Sequence, residues 1–400
     1  MHQELFIDVD THITEPADTW TSRVSARFRD RVPRVERFAK NGKQYWYLGD
    51  ERVGSVGLSA PAGFVGGPFP ASPNGYDEVH PGSYDATERL KYMDSIGIWA
   101  QVLYPNVGGF GGQAFLKLGD PELMLECVRA YNDFQTEWSS ADSRRLLPIA
   151  AMPFWDVEAS VAEVLRCAEM GHRGVLFTGE PQIHGFPFLG DSHWDPFWSV
   201  VQEVGLPISL HIGSGDMEKS FDRSRMRAHG AAATYAASTV ALTMGNGIQV
   251  ADLLLSGVLP RFPTLKVVSV ESGIGWVPFM LEAADYAFKD GKVAVERPIF
   301  GDLLPSDYFH RQVYVCYWFE QLAPQRLLET IGVDNVMFET DFPHPTSLFD
   351  DSVRTRIDGA LGAHTDEVRR KVLWSNAAQL YHVEEPSPAD LTRLVATVPS

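Results

Sequence analysis

The sequence predicts an α/β fold of the (β/α)8 TIM-barrel type, with an insertion after the first strand. Eight short apolar segments alternate with helix-like segments along the 400 residues, and this alternation is typical of a closed parallel barrel. The segments are almost continuously apolar, as expected of strands that are covered on both faces. The alternative is an open doubly wound sheet, but no strand leads into a GxGxxG or GxxxxGKS/T turn. The pattern therefore favours the barrel.

Apolar periodicity and turn residues give approximate bounds for the barrel elements. The first helix is marked by Asp85 and Glu88, which have the spacing of a capping box. The predicted strands cover residues 6–12, 98–104, 147–152, 174–177, 207–212, 266–270, 312–317 and 335–339. The predicted helices cover residues 85–96, 121–139, 157–170, 195–204, 231–259, 276–288, 324–331 and 366–380. A helix therefore follows every strand.

Residues 17–80 interrupt this alternation and form the predicted insertion. Two segments, 44–48 and 51–56, flank Gly49 and Asp50 in the manner of a β-hairpin. Residues 54–75 are rich in Gly, Pro, Ser and Ala and include Phe64 and Phe69. Such a segment is either a disordered tether or a lid, and its aromatic residues favour a lid. No linker divides the chain, so we expect residues 1–400 to form a single barrel domain.

Composition excludes several classes of partner. The chain has 34 Lys and Arg against 52 Asp and Glu, a net charge of −18, which argues against binding to nucleic acid or an anionic membrane. Its three cysteines, Cys127, Cys167 and Cys316, lie far apart, as in a reduced cytoplasmic protein. No signal peptide precedes Phe6 and no apolar run is long enough to cross a membrane. We therefore expect a cytoplasmic protein.

Residues of the types that bind metals stand at the ends of three predicted strands, where a barrel gathers its catalytic groups. Alternation in the first strand places Asp8, Asp10 and His12 on one face. His211 ends the fifth strand and Asp341 follows the eighth. Two nitrogen and two oxygen donors suit Zn²⁺ or Mn²⁺. We therefore predict one divalent metal at the barrel mouth, zinc in preference to manganese, with the ligands Asp10, His12, His211 and Asp341.

Four sequence motifs resemble those of the amidohydrolase superfamily. The motifs are Asp-x-Asp-x-His-x-x-Glu-Pro beginning at Asp8, the fifth-strand His211, Asp341-Phe-Pro-His344, and Asn376-Ala-Ala-x-Leu-Tyr381. Within the superfamily the chain resembles the branch that contains aminocarboxymuconate-semialdehyde decarboxylase and γ-resorcylate decarboxylase. The resemblance implies a TIM barrel with the four-ligand metal site named above. Dinuclear members bridge two metals with a strand-four lysine, which residues 173–178 lack, so a single metal is favoured.

The chain departs from this branch at the end of the sixth strand. The decarboxylases have a histidine there, thought to act as an acid or base, whereas this chain has Ser272 with Glu271 beside it. A serine cannot shuttle a proton near neutral pH unaided. Glu271 could do so if burial raises its pKa. Its side chain could equally face away from the site or pair with a buried arginine.

Two enzymatic functions follow from the resemblance. The first is a mononuclear carboxy-lyase acting on a small aromatic or unsaturated carboxylic acid, with Asp341, Glu271 or His344 delivering a proton to carbon. The second is a hydrolase that cleaves an amide, a lactone or a carbon–carbon bond beside a carbonyl, with Asp341 accepting a proton from metal-activated water. A metal-free barrel that only binds a ligand is the third alternative. The missing histidine weakens the preference for the carboxy-lyase over the hydrolase.

Several other residues are candidates for supporting roles. Asn106, Ser272 and Trp318 stand near strand ends and are predicted to contact substrate. Glu15 could orient His12 through a hydrogen bond or merely cap a turn. Arg89 is expected to be solvated unless it binds a substrate carboxylate. Members of this branch commonly form dimers, so a homodimer is expected.

Overall fold

The computed structural model describes residues 4–66, 71–215 and 223–397. Eight of its strands form one parallel sheet in chain order, from β1 through β5 to β11. The remaining three, β2 to β4, form a separate antiparallel sheet. The strands are β1 Phe6–His12, β2 Arg34–Arg37, β3 Gln44–Leu48, β4 Glu51–Ser55, β5 Ile98–Tyr104, β6 Leu146–Ala151, β7 Gly174–Leu176, β8 Ile208–His211, β9 Val267–Val270, β10 Val313–Tyr317 and β11 Val336–Phe338.

The large sheet closes on itself immediately after β11. The Asp341 N–H donates to the Asp10 carbonyl at 2.9 Å, and the His12 N–H donates to the Phe342 carbonyl at 2.7 Å. Thr11 and Phe342 form a parallel bridge at the same place. The predicted parallel barrel is therefore confirmed, and the seam that closes it runs between β1 and the segment that follows β11.

Helices surround the barrel and connect its strands. Asp85, Asp120 and Asp156 each cap the helix that follows by accepting a backbone N–H, which satisfies a donor that the helix leaves unpaired. The described α-helices are α1 Ala86–Ile96, α2 Pro121–Ser139, α3 Val157–Glu169, α4 Asp195–Val204, α5 Arg223–His229, α6 Ala231–Leu255, α7 Val258–Arg261, α8 Val277–Asp290, α9 Val293–Glu296, α10 Pro305–Gln312, α11 Leu322–Arg326, α12 Leu328–Ile331, α13 Asp351–Leu361, α14 Asp366–Arg370, α15 Asn376–Tyr381 and α16 Pro388–Thr397.

The insertion contains the expected hairpin, β3 and β4, together with the strand β2 that the sequence did not suggest. Trp46 of β3 packs edge-on against Trp20, with ring centroids 5.6 Å apart. The Tyr76 hydroxyl donates to the Glu15 carbonyl at 2.6 Å, so the end of the insertion is tied to the segment after β1. Within the predicted lid, the Ala62 N–H donates to the Pro343 carbonyl. Phe69, one of the two phenylalanines on which the lid prediction was based, lies outside the described residues.

Some helices differ from those expected. The predicted helix 324–331 is two short helices, α11 and α12. The predicted helix 366–380 consists of α14 and α15 with a π-helical segment, Lys371–Ser375, between them. Helices α5, α9, α10, α13 and α16 were not expected. In α10 and α13 the apolar residues are spaced among polar and charged ones, so periodicity alone marked these two helices weakly.

Candidate metal centre

The carboxyl ends of β1, β8, β9 and β11 bring buried donor atoms together at the barrel mouth. Asp10, His12, His211 and Asp341 are each 0% exposed. Asp8 does not join them, because the pairing of β1 with β5 is irregular between Asp8 and Thr11. Its carboxylate instead accepts hydrogen bonds from Thr340 and Gln101. The prediction that Asp8 shares a face with Asp10 and His12 was therefore wrong. The Asp8 carboxylate instead stabilises the seam of the barrel through its bonds to Thr340.

Four of the six distances between the predicted donor atoms are close to those of a tetrahedral metal site. Donors about 2.0–2.1 Å from zinc lie about 3.3–3.4 Å from one another in a tetrahedron. His12 Nε2 lies 3.4 Å from Asp10 Oδ1 and 3.5 Å from Asp341 Oδ1. His211 Nε2 lies 3.2 Å from His12 Nε2 and 3.5 Å from Asp10 Oδ1. The donors that lie within 4.8 Å of one another form two overlapping groups: Asp10, His12, His211 and Glu271, and His12, Glu271, Asp341 and His344. Asp341 therefore adjoins the first group through His12 and Glu271.

Each imidazole is oriented by a hydrogen bond on its far side. His12 Nδ1 donates to the Pro105 carbonyl at 3.0 Å, and His211 Nδ1 donates to the Ile212 carbonyl at 2.8 Å. These bonds place the proton on Nδ1 and leave the Nε2 lone pair free to bind a metal. Burial, together with the nearby His344 and His211, lowers the pKa of His12 well below its ordinary value. A neutral His12 is the form that ligates a metal.

Two buried oxygens of the site make no hydrogen bond with any described residue. They are the two carboxylate oxygens of Asp10. A buried acceptor without a partner is strongly unfavourable. A cation would satisfy these oxygens and the two imidazole nitrogens at once. The donor set, its spacing and its unpaired oxygens therefore fit a divalent metal ion.

Glu271 faces the same space. Its side chain can contribute a ligand atom to a group with Asp10, His12 and His211, and to another with His12, Asp341 and His344. Its Oε2 lies 3.7 Å from His211 Nδ1. Glu271 follows β9 with a φ of 54°, a left-handed conformation that is uncommon outside glycine and clusters at functional sites. The open question about its direction is answered: it points into the site.

Several buried carboxylates lie close together in this site, and each raises the pKa of its neighbours. Burial, followed by the charge of Asp341, raises the pKa of Glu271 well above its ordinary value. Burial and the charge of Asp10 do the same to the pKa of Asp341. Glu339, fully buried at the end of β11, accepts the Glu271 N–H at 3.3 Å, and burial and Asp10 raise its pKa. Protons or a divalent cation are the two ways to relieve this repulsion.

His344 stands above Asp341 and His12. Its Nδ1 lies 2.8 Å from Asp341 Oδ1, and its ring stacks on that of His12 with centroids 3.7 Å apart. On the other side Nε2 donates to Asn106 Oδ1 at 2.7 Å. Asn106 is itself held in place, because its Nδ2 donates to the Ile13 carbonyl. His344 is therefore fixed with one nitrogen toward the candidate metal site.

The amidohydrolase family model matches residues 7–383 of this chain. The chain belongs to the amidohydrolase family. The matched range runs from β1 to the residues after α15 and contains the candidate ligands from all the strand ends described above. The predicted family is therefore confirmed, and the chain is an enzyme of this superfamily.

Known relatives of this amidohydrolase include decarboxylases. The gamma-resorcylate decarboxylase of Rhizobium sp. (strain MTP-10005) is 26% identical over 300 residues, which cover 72% of this chain and 84% of the relative. A solved amidohydrolase from Mycobacterium avium subsp. paratuberculosis K-10 has a TM-score of 0.75 at 23% identity, covering 95% and 99% of the two chains. The dihydroxybenzoic acid decarboxylase of Polaromonas sp. JS666, solved with manganese and 2-nitroresorcinol, has a TM-score of 0.62 at 18% identity, covering 96% and 98%. The two structures share the barrel fold.

Glu15 holds a loop rather than a metal ligand in this amidohydrolase. Its Oε1 accepts the N–H groups of Asn106 and Val107 at 2.9 and 3.0 Å. Burial raises its pKa to about 7. Of the two alternatives for Glu15, a hydrogen bond to His12 is not formed, because the His12 Nδ1 partner is the Pro105 carbonyl. Glu15 fixes the segment that carries Asn106 and hence His344.

The three predicted substrate residues have different surroundings. Asn106 lines a pocket beside the site, but its amide is already bonded to His344 and Ile13. The Ser272 hydroxyl is 2.7 Å from Ser269 Oγ, which also accepts from Asn246 of α6. Ser272 is thus engaged on the helix-facing side of β9. Trp318 lines a separate cavity and donates to the Thr346 carbonyl.

Arg89 is fully buried and does not reach the site. Its guanidinium donates to the carbonyls of Gly82 and His12 and to the side chains of Thr11 and Gln101. The expectation that Arg89 is solvated was therefore wrong. Its bonds tie α1 to the end of β1, which makes it a structural support for the backbone of His12.

Phe110 is a site residue that the sequence analysis missed. Its ring stacks on His211 with centroids 4.5 Å apart and meets His12 edge-on at 5.3 Å. It lies within Gly-Gly-Phe-Gly-Gly, residues 108–112, in the loop after β5. A lone aromatic between glycine pairs, just beyond a barrel strand, was the available signal.

No described helix combines the length and the apolar character needed to span a bilayer.

Proposed function

We propose that this amidohydrolase is a metal-dependent carboxy-lyase that decarboxylates a small aromatic carboxylic acid. One observation of the site carries the proposal: the carboxyl group of Glu271 faces the metal ligands at the end of β9, where the resemblance led us to expect a histidine. A group that can carry a proton is therefore present despite the missing histidine. The substrate class is supported by the gamma-resorcylate and dihydroxybenzoic acid decarboxylases among the relatives.

We propose one divalent ion, either zinc or manganese, as the resident metal. The nitrogen and oxygen donors suit zinc, while the decarboxylase from Polaromonas was solved with bound manganese. When bound, the ion supplies positive charge next to the oxygens of the substrate. The residues that would hold it are Asp10, His12, His211 and Asp341.

The reaction requires a proton at the ring carbon that bears the carboxylate. Once that carbon is protonated, its bond to the carboxylate breaks, the bonding electron pair returns to the ring, and carbon dioxide leaves. We assign the proton to the Glu271 carboxyl group, because it is buried and faces the candidate metal ligands. His344 and Asp341, whose Nδ1 and Oδ1 atoms are 2.8 Å apart, are the other groups able to supply it. The donor regains a proton from water after each turnover.

Isotope labelling tests the reaction. The metal-loaded enzyme in D2O should release carbon dioxide from 2,6-dihydroxybenzoate and place one deuterium on the ring carbon that lost it. A panel of aromatic amides and lactones, assayed in the same buffer, should stay intact. Water-dependent cleavage of that panel without carbon dioxide release would replace the lyase with the hydrolase alternative.

Two neighbouring substitutions test the proton donor. Glu271→Gln keeps the size of the side chain and removes the acidic proton, so we expect turnover to fall by about 100-fold or more while bound metal stays near one equivalent. Ser272→Ala is the matched control, because its hydroxyl is engaged with Ser269. An unchanged rate in Glu271→Gln would transfer the role to His344 or Asp341.

We also propose that the enzyme works in the cytoplasm as a homodimer and that residues 1–400 form one domain with a lid in the 17–80 insertion. The buried free thiols of Cys127, Cys167 and Cys316 suit a reducing compartment. Light scattering of the purified chain measures the dimer directly.

A further inference from the structure

We infer that Glu320, which follows β10, is a positioning residue: it holds the turn that carries Glu271 and so keeps the Glu271 carboxyl group directed at the candidate metal ligands. The inference rests on the function proposed above, because it concerns the proton donor of that reaction. It follows from the hydrogen bonds of residues 271–276, which join β9 to α8 and are called the Glu271 turn below.

The Glu271 turn bends sharply where it leaves β9. Glu271 has a φ of 54° and Gly273 a φ of 67°, so two of its first three residues are left-handed. This conformation is unfavourable for a residue with a side chain and persists only where the surroundings hold it. The direction of the Glu271 side chain therefore depends on the contacts of the turn.

The Glu320 carboxylate accepts two consecutive backbone N–H groups of this turn. The Ile274 N–H donates to Oε2 at 2.7 Å, and the Gly275 N–H donates to Oε1 at 2.8 Å. By comparison, the Glu271 N–H lies 3.3 Å from Glu339 Oε2. Hydrogen bonds to a charged acceptor are shorter and stronger than those between neutral groups. Glu320 therefore holds the backbone of the turn more firmly than Glu339 does.

Two glycines let the carboxylate come this close. A Cβ atom on Gly273 would lie 2.8 Å from Glu320 Oε2, and one on Gly275 would lie 2.9 Å from Oε1. Both distances are shorter than real Cβ contacts. Gly275 does not have a positive φ, so at this position the approach of Glu320 alone requires glycine. The turn and the carboxylate are thus shaped to each other.

These bonds hold the turn rather than the helix that follows it. The N-cap of α8 is Trp276, so Ile274 and Gly275 precede the N–H groups that a helix leaves unpaired. Among the described residues, Glu320 belongs to neither group of donors that could hold the metal. Its effect on the site must therefore pass through Glu271.

A substitution that keeps the size of the side chain tests this role. Glu320→Gln replaces one acceptor oxygen by an NH2 group, which cannot accept the second N–H. With 2,6-dihydroxybenzoate and metal-loaded enzyme, kcat should fall by about 10–100-fold, while KM and bound metal change little. Glu126→Gln is the matched control, because half-buried Glu126 also accepts a backbone N–H, that of Ser25 at 2.9 Å. It should leave kcat unchanged.

A second variant disturbs the same contact from the other side. Gly275→Ala leaves the carboxylate unchanged but places a Cβ atom against Glu320 Oε1, so it should displace Glu320 and lower kcat as well. Gly245→Ala is its control, because a Cβ atom there meets nothing within 4 Å, and its kcat should equal that of the native enzyme. If both Glu320→Gln and Gly275→Ala keep the native kcat, the inference is overturned.

A double substitution tests whether Glu320 acts through Glu271. In the Glu271→Gln background the proton donor is already gone, so Glu320→Gln should lower kcat further by less than about threefold. A merely structural role would lower kcat by the same factor in both backgrounds. That result would overturn the inference.

Two measurements without turnover separate this inference from the proposed reaction. In Glu320→Gln the amides of Ile274 and Gly275 should exchange hydrogen at least about 10-fold faster than in the native chain, while those of β9 keep their rates. In crystals of this variant Glu271 Oε2 should move from its place 3.7 Å from His211 Nδ1. If both changes occur but no acid releases carbon dioxide, the lyase function fails and the positioning role stands. Unchanged exchange, or an unmoved Glu271 carboxyl group, overturns the positioning role.

Discussion

The two ligand imidazoles face each other through their Nε2 atoms, 3.2 Å apart. Both Nδ1 atoms donate to backbone carbonyls, so two lone pairs point at the same space. This arrangement is unfavourable unless a cation or a proton lies between them. Burial lowers the pKa of His211, but the charges of Asp10 and Glu271 outweigh it and raise that pKa above its ordinary value. The field of the site therefore favours positive charge at this point.

Removal of one imidazole should empty the site. We expect His211→Ala to bind the metal at least 100-fold more weakly than the native enzyme, since even residues that merely support ligands contribute about 10–100-fold, and to lose activity with it. Elemental analysis after gel filtration measures the metal. His364→Ala is the control, because His364 bonds to the Pro324 carbonyl on α11. Full activity in His211→Ala would contradict the site.

The sequence predicted the convergence of these residues because each stands at a strand end of a recognisable barrel. It did not separate Asp8 from Asp10, since the irregular pairing that turns Asp8 aside depends on β5. Nor did it show that Glu271 faces the cluster, because that direction depends on its positive φ. The role of Phe110 depends on a loop path that no local pattern encodes.

At the scale of elements, Arg89 joins α1 to β1. Replacement by methionine leaves the Gly82 and His12 carbonyls and the Gln101 side chain without their charged donor. We expect Arg89→Met to lower the free energy of unfolding by about 3 kcal/mol or more. Urea unfolding measures it, with the exposed Arg29→Met as a control expected to change stability by less than about 0.5 kcal/mol. Equal stability of the two variants would remove the structural role of Arg89.

His172, between α3 and β7, makes the packing of these elements sensitive to pH. Burial lowers its pKa to about 4, and its Nε2 lies 3.0 Å from Thr136 Oγ1, with Glu163, Arg166 and Asp133 nearby. The unfolded chain, with a histidine pKa of about 6.5, takes up the proton first. Stability therefore falls as pH drops from 6.5 to 4, and by about 2 kcal/mol between pH 7 and pH 5.

The test compares unfolding at the two pH values. The His172→Gln variant should lose this part of the pH dependence, whereas the control variant His229→Gln, at an exposed histidine, should keep it. An identical pH dependence in His172→Gln and the native chain would assign the effect to other groups.

Element boundaries were predicted well where a single signal was strong. Helices α2 and α4 begin and end where the sequence predicted, because Pro follows the first polar residue in each and apolar periodicity is regular. The last predicted helix was misread because its period is continuous through Lys371–Ser375. Periodicity does not report the extra residue that a π-turn inserts.

At the scale of the whole molecule, the barrel gathers buried carboxylates that a metal would neutralise. A ligand that binds only the folded state stabilises it by about 2.7 kcal/mol when its free concentration is 100 times Kd. Chelation should therefore lower the Tm, and one equivalent of zinc or manganese should restore it. The His211→Ala variant is the control, since its Tm should respond little to either treatment. If chelation does not change the Tm of the native enzyme, the proposal of a resident ion is contradicted.

The fold was predictable because eight repeated units leave few other solutions. The insertion was less predictable, because its sheet includes a strand with no apolar pattern of its own. Homodimer formation and the choice of metal stay predictions, because each depends on molecules outside this chain.

The closing seam also sets the order in which the site can be assembled. Its backbone bonds join Asp10 and His12 to Asp341 and Phe342, so the first and last donors along the polypeptide meet at one joint. During synthesis the ribosome delivers Asp341 some 330 residues after Asp10. A nascent chain can thus offer at most three of the four donors until the cylinder is nearly finished, and an early-captured ion would have to be held by an incomplete cage.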